Sequence, residues 1–210
     1  MSASPIDGPR RGPVAGLVLA AGSGSRMEGG FKLLLPWQGE AVVRAPADTA
    51  AAAGLDPVFV VVGHRADDVR RALEGTGARP VENPAWAEGQ ATSLAAGIRA
   101  VRTATAAEAA VVLLGDEPGV LPEDVAAVVA AWRRSGAPAV RAVYRDRPGH
   151  PVLVDRSRFE ALEALEGDRG ARGWLCGRSG EVTAVRRDRP APVDVDTRPA
   201  YRAARREAGA

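Results

Sequence analysis

Three short runs with almost no polar residue constrain this chain most: Val14–Ala20, Val58–Val62 and Ala110–Leu114. None shows the apolar/polar alternation of a half-exposed strand. A strand without a polar face must be covered on both sides, as in a parallel sheet between two layers of helices. Ala139–Val143, Pro151–Val154 and Glu181–Val185 read as further strands. Helical patterns lie between them. In Pro122–Ser135 the apolar Val125, Val128, Val129 and Trp132 share one face. Glu123 and Asp124 in its first turn and Arg133 and Arg134 in its last suit the helix dipole, and Gly136 marks its end. Ser157 followed by Glu160 reads as a capping box that opens a helix with Phe159 and Leu162 inward. Ala66–Leu73, Thr92–Arg102, Asp168–Leu175 and Arg198–Glu207 are further expected helices. Pro46 is expected to break or restart one drawn over Glu40–Ala53. This alternation predicts an α/β fold of three layers, a mostly parallel sheet with helices on both faces. Ligands then bind at the carboxyl ends of the strands, which directs attention to the loops after Ala20, Val62 and Leu114.

Composition excludes several functions. A formal net charge of +2 over 210 residues provides no extended basic face, and 4% aromatic residues provide no base-stacking platform, so nucleic acid is not an expected partner. A single cysteine, Cys176, excludes an internal disulfide, and two histidines, His64 and His150, exclude a His-rich zinc site. The longest apolar run, Val14–Ala21, falls far short of the roughly 20 residues of a membrane span. Its Arg10-Arg11 prelude and Ala20-Ala21-Gly22 ending imitate a short secretory signal, but the same run is the best first core strand. Residues 1–13 therefore read as a flexible tail, residues 14–205 as one domain, and the cytoplasm as the compartment. His64 reads as a surface-loop residue and Cys176 as a packed thiol.

After the first strand comes Leu19-Ala20-Ala21-Gly22-Ser23-Gly24-Ser25-Arg26-Met27. Successive small residues let backbone N–H groups turn outward as an anion-binding nest, although Gly-x-Gly alone is equally a tight turn. The dinucleotide fingerprint is excluded because Met27 stands at its third glycine position. The Walker A loop is excluded because Lys32 lies between Phe31 and Leu33. Of 28 basic residues Lys32 alone is lysine, which singles out a position that arginine does not fill.

Two carboxylates draw attention. Asp116, in Gly115-Asp116-Glu117-Pro118, follows a central hydrophobic strand and is either a turn aspartate or a magnesium ligand at the sheet's ligand edge. Asp196, in Asp194-Val195-Asp196-Thr197, is either the N-cap of the last helix or a second ligand, with Thr197 the alternative cap. Glu117 reads as a residue that orients its loop, and Asp194 as structural.

Leu19-Ala-Ala-Gly-x-Gly-x-Arg26-Met27, followed by Lys32-x-Leu-Leu-Pro36, resembles the signature of the MobA-like NTP transferases, most closely their molybdenum cofactor cytidylyltransferase branch. Further matches follow in order: Asn83-Pro-x-Trp-x-x-Gly89-x-x-x-Ser93-Leu94-x-x-Gly97, Leu114-Gly-Asp116-Glu-Pro118, Pro148-Gly-His150-Pro151, Gly167-Asp168-Arg-Gly170 and Asp194-x-Asp196-Thr197. The resemblance implies a Rossmann-like nucleotidyltransferase fold of the GT-A type. It also implies a Mg²⁺-dependent transfer of CMP from CTP to the phosphate of molybdopterin, with release of pyrophosphate. It places Leu19, Ala20, Ala21, Gly22, Gly24, Ser25, Arg26, Lys32, Gly89 and Ser93 on the nucleotide, and Lys32 and Arg26 at the reacting phosphates. Asp116 and Asp196 would hold the metal, and Asn83 and His150 would face the acceptor. A molybdenum hydroxylase or its chaperone would receive the product. Another NTP, a sugar phosphate acceptor, or a silent cofactor-binding chaperone are the alternatives. Two departures stand out: Glu28 adds a residue before Lys32, and Glu117 replaces the usual glutamine.

Overall fold

The computed structural model describes residues 12–24, 27, 30–167, 174–175 and 179–209. Seven strands form one sheet: β1 (Val14–Ala20), β4 (Val58–Val62), β5 (Arg79–Glu82), β6 (Ala109–Leu114), β7 (Ala139–Val143), β8 (Pro148–Asp155) and β9 (Val182–Arg186). Their spatial order is β5-β4-β1-β6-β8-β7-β9. All are parallel except β8, which runs against both β6 and β7. β2 (Pro36–Trp37) and β3 (Glu40–Ala41) form a separate antiparallel pair.

Every residue of β1 and β4 is buried, as their lack of a polar face requires. Period two then divides each strand between two cores. Val14, Val18, Ala20, Val58, Val60 and Val62 face α1 (Arg44–Ala52), α2 (Ala66–Ala72) and α4 (Pro122–Ser135). Leu17, Leu19, Phe59 and Val61 face α3 (Gln90–Ala104) and α5 (Phe159–Glu163). Fully burying each such Val or Leu is worth about 1.5–3 kcal/mol, so the middle strands anchor the molecule. Phe159 and Leu162 do point inward. The last helix is α6 (Arg198–Glu207).

Several expectations needed correction. Pro46 does not break a helix: Glu40–Ala41 is a strand, and Pro46 sits in the first turn of α1, where the N–H it lacks has no helical partner anyway. Ser157 is not a cap. Asp155 accepts from the Ser157 N–H at 3.0 Å, and a 3-10 turn over Arg156–Arg158 precedes α5. β8 starts three residues before the expected Pro151. The edge strand β5 was not foreseen, because Arg79-Pro80-Val81-Glu82 is polar and proline-containing, a composition tolerated only at an edge. Of the helix expected over Asp168–Leu175, residues 168–173 lie outside the described residues, and Trp174 and Leu175 are helical.

Asp124 does more than complement a helix dipole. Its carboxylate is wholly buried and accepts from the Leu121 N–H at 3.1 Å, from Arg187 Nε at 2.6 Å and from Arg189. Burial alone would push this carboxyl up; the donors from Arg189, Leu121 and Arg187 outweigh it and hold the group below its ordinary value. Asp124 thereby pins the chain leaving β9 against the start of α4. Removing one partner of such a buried cluster costs about 3–5 kcal/mol, so Asp124→Asn should lower the urea midpoint at neutral pH. A depressed folded pKa stabilises above the unfolded value and loses that contribution as pH falls through the folded one. The gap between wild type and variant should therefore narrow below pH 3.8, the ordinary aspartate value. A gap unchanged in acid would show that the carboxylate charge is not what holds the segment.

Candidate active site

Three loops converge at the carboxyl ends of β1 and β6. The first follows β1. Gly24 has φ +62, and a Cβ there would lie 3.1 Å from Lys32 Cγ, so the loop must be glycine where the lysine stem passes. Lys32 opens a 3-10 turn whose Leu33 is 2% exposed, and core burial of Leu33 turns the lysine the other way. The second loop follows β6 and carries Asp116. Gly115 N–H donates to Leu19 O at 2.9 Å, which holds the first two loops together. The third comes from the far edge of the sheet. Val195 N–H donates to Asp116 O at 2.9 Å, which lays the 194–196 segment on the Asp116 loop. Thr197, not Asp196, caps α6: its hydroxyl accepts from the Ala200 N–H at 3.3 Å, so the Asp196 carboxylate is not engaged as the cap.

Lys32 Nζ donates to Asp116 Oδ2 at 2.5 Å and to Asp196 Oδ1 at 2.6 Å. Burial alone would lower the lysine pKa, but the charges of Asp116 and Asp196 and their hydrogen bonds hold it above its ordinary value. The extra residue at Glu28 lies outside the described residues, and Lys32 still reaches both carboxylates. One cation satisfies two carboxylate oxygens here, so a divalent ion in this position fits the donor set. Among the described residues no cluster of three or more His, Cys, Asp or Glu is arranged to hold a metal. Remaining ligands would therefore come from nucleotide phosphate and water, the usual magnesium arrangement.

Around this group opens a cleft of about 490 Å³. Leu19, Ala20, Ala21, Gly22, Gly24, Lys32, Gly89, Ser93, Asp116 and Asp196 all line it, with Trp86 and Gln90. Ser25 and Arg26 lie outside the described residues. A second, smaller cavity of about 170 Å³ adjoins it and shares Leu19, Gln90, Leu114 and Asp194. His150 lines this second cavity. Its Nδ1 lies 3.2 Å from Glu117 Oε2, and Tyr144 Oη donates to its carbonyl at 2.6 Å. Glu117 is 4% exposed; burial would push it up, and His150 beside it holds it below the ordinary value. Asp194 is pushed up to about 7 by burial and by the neighbouring Glu117.

Asn83 is not on either cavity lining. It is 3% exposed, donates to Thr92 Oγ1 at 2.9 Å and Ser93 Oγ at 3.0 Å, and accepts from the Ala85 N–H at 3.1 Å. Its amide is spent on holding the Trp86–Gly89 turn. His64 is half-exposed in the loop after β4, as expected, and its ring meets Phe31 and Trp86 edge-on at 5.3 and 5.1 Å. This row links the residue before Lys32 to the wall of the cleft. Asp194, read as structural, lines both cavities, and Arg141 and Arg147, which the sequence did not single out, line the smaller one; Gln90 falls within the motif from Asn83 to Gly97. For Asp194 the only hint was its two-residue spacing from Asp196.

A model of the MobA-like NTP transferase domain matches residues 16–182. The chain belongs to this family. It is thereby a nucleotidyltransferase. It is 32% identical to nicotine blue oxidoreductase of Paenarthrobacter nicotinovorans, over 77% of this chain and 81% of that one. It is 30% identical to the molybdenum cofactor cytidylyltransferase of Escherichia coli K12, over 67% of this chain and 69% of that one. The crystal structure of Rv0371c from Mycobacterium tuberculosis superposes with a TM-score of 0.79 at 32% identity, over 91% of this chain and 97% of that one. Another structure of Rv0371c is a complex with manganese.

Lys32→Met should expose the electrostatics of the clamp. Two adjacent carboxylates lose their shared cation, and stability should fall by about 1–3 kcal/mol. Added Mn²⁺ should then raise the thermal midpoint of the variant more than that of wild type. Equal midpoints and equal metal responses would show that the ammonium does not balance the two acids.

Proposed function

We propose that this enzyme transfers CMP from CTP to the phosphate of a molybdopterin-type acceptor, with Mg²⁺ as cofactor and pyrophosphate as the second product. One observation carries the reading: Lys32, Asp116 and Asp196 meet at 2.5 and 2.6 Å beside a glycine loop, in a cleft of nucleotide size. The relative named a molybdenum cofactor cytidylyltransferase supports the choice of base and acceptor. The manganese complex of Rv0371c supports a divalent metal.

Phosphoryl chemistry of this kind needs positioning and charge neutralisation more than covalent catalysis. The amides of Ala21–Gly24 and the side chain of Arg26 hold the β- and γ-phosphates. Lys32 meets charge that develops around the α-phosphate. Asp116 and Asp196 are the residues that hold Mg²⁺, which when bound neutralises phosphate charge. His150 faces the acceptor. Asn83 acts through the turn it supports. The cytoplasm is the proposed compartment, and a molybdenum hydroxylase or its chaperone the proposed recipient.

The likeness to a protein named an oxidoreductase favours one rival reading, electron transfer within the same fold. Incubating the protein with each of four NTPs, Mg²⁺ and either molybdopterin or a sugar 1-phosphate, and detecting pyrophosphate, decides between them. Turnover with CTP and molybdopterin is expected. Oxidation of a nicotinamide nucleotide by a dye, with no pyrophosphate from any pair, would sink the transferase reading. Losing Lys32 as alanine should cost on the order of 10²–10³ in rate, and Lys32→Arg should stay well below wild type because a planar guanidinium does not fit between two carboxylates this close. Asp116→Asn should abolish the metal-dependent rate.

A further inference from the structure

Gln90 is the first residue of α3. Seven residues on, Gly97 packs so closely on the sheet that a Cβ there would meet Leu17 Cδ1 at 2.4 Å and Val61 Cγ2 at 2.9 Å. That approach fixes the helix axis. Gln90, two turns earlier on the same face, is therefore held over the carboxyl ends of β1 and β6. There it lines both cavities, with Leu19, Leu114 and Asp194. Two of these neighbours are apolar and the third is an acid, so none of them is a fixed donor to a phosphate. Gln90 itself is exposed, and among the described residues its carboxamide has no hydrogen-bond partner. A neutral group with two N–H donors thus stands unspent at the junction.

We propose that Gln90 holds the attacking phosphate of the acceptor where the two cavities meet, an assignment that rests on the nucleotidyl-transfer reading. In the step, an acceptor phosphate oxygen forms a new bond to the α-phosphorus. The bond from that phosphorus to the oxygen bridging to the β-phosphate breaks, and pyrophosphate leaves with the electron pair. The attacking oxygen is already ionised, so no proton needs to move. The hydrogen bond from the Gln90 amide aims the oxygen at phosphorus.

The test compares wild type with Gln90→Met, which keeps the volume and removes the donors, and Gln90→Glu, which keeps the shape and adds charge. Turnover uses CTP, Mg²⁺ and molybdopterin, and CTP binding in Mg²⁺ is measured separately by calorimetry. Gln90→Met should lower kcat/KM for the acceptor on the order of 10- to 100-fold, while the CTP dissociation constant stays within about twofold. Gln90→Glu should fall below Gln90→Met. Both variants should keep the wild-type thermal midpoint, since the side chain is exposed. A Met variant that matches wild type in turnover overturns the assignment alone, and so does a loss that shows equally in CTP affinity. A wild type that releases pyrophosphate with no pair overturns the transferase reading, and the assignment with it.

Discussion

Two carboxylates that share a partly buried space need a cation or a proton between them. Asp116 and Asp196 resolve this through Lys32, whose ammonium reaches both. The attraction is strong because the three side chains are only 12–26% exposed, where water screens poorly. Lysine suits this place for a geometric reason. Its charge is compact and sits at the end of a flexible stem, whereas arginine spreads its charge over a rigid fork.

The clamp depends on delivery over long chain distances, because its lysine and its second acid are 164 positions apart. The sheet brings Asp116 by placing β6 beside β1. Asp196 needs a separate route. Chain leaving β9 is caught by Asp124 through Arg187 and Arg189, and Ala191 N–H then donates to Asp146 at 2.7 Å. Arg147 holds Pro192 O at 2.6 Å, and Val195 joins the Asp116 loop. Asp124 therefore serves stability and site assembly through one set of bonds, although it touches neither cavity lining.

The middle of the sheet was legible because uninterrupted apolar runs allow no exposed face. Asp116 was legible for a related reason: a residue just past a central strand must stand at the ligand edge. Lys32 stood out by composition. Harder were features decided by tertiary context. Pro46 opens a helix instead of breaking one because a hairpin precedes it, and nothing local shows that hairpin. Ser157 loses the cap to Asp155, which reaches it only because β8 runs on to that residue. Asn83 matched a family motif, yet its amide is used within its own turn. His64 became part of an aromatic row only when the loop after β4 met Phe31 and Trp86. Gln90 stood out only as part of the motif from Asn83 to Gly97, since its place between two cavities follows from the packing of Gly97.

A family whose relatives are named a cytidylyltransferase and an oxidoreductase does not by itself define this chain's substrates. The walls of the two cavities must. Around the cleft stand the small residues of the loop after β1, one cation, Lys32, and three acids, Asp116, Asp194 and Asp196. The adjoining cavity is mixed: Arg141, Arg147 and His150 face Glu117 and Asp194. Such a wall is no simple anion sink. Asp194 lines both cavities, so the boundary between them carries an acid of its own beside the neutral Gln90.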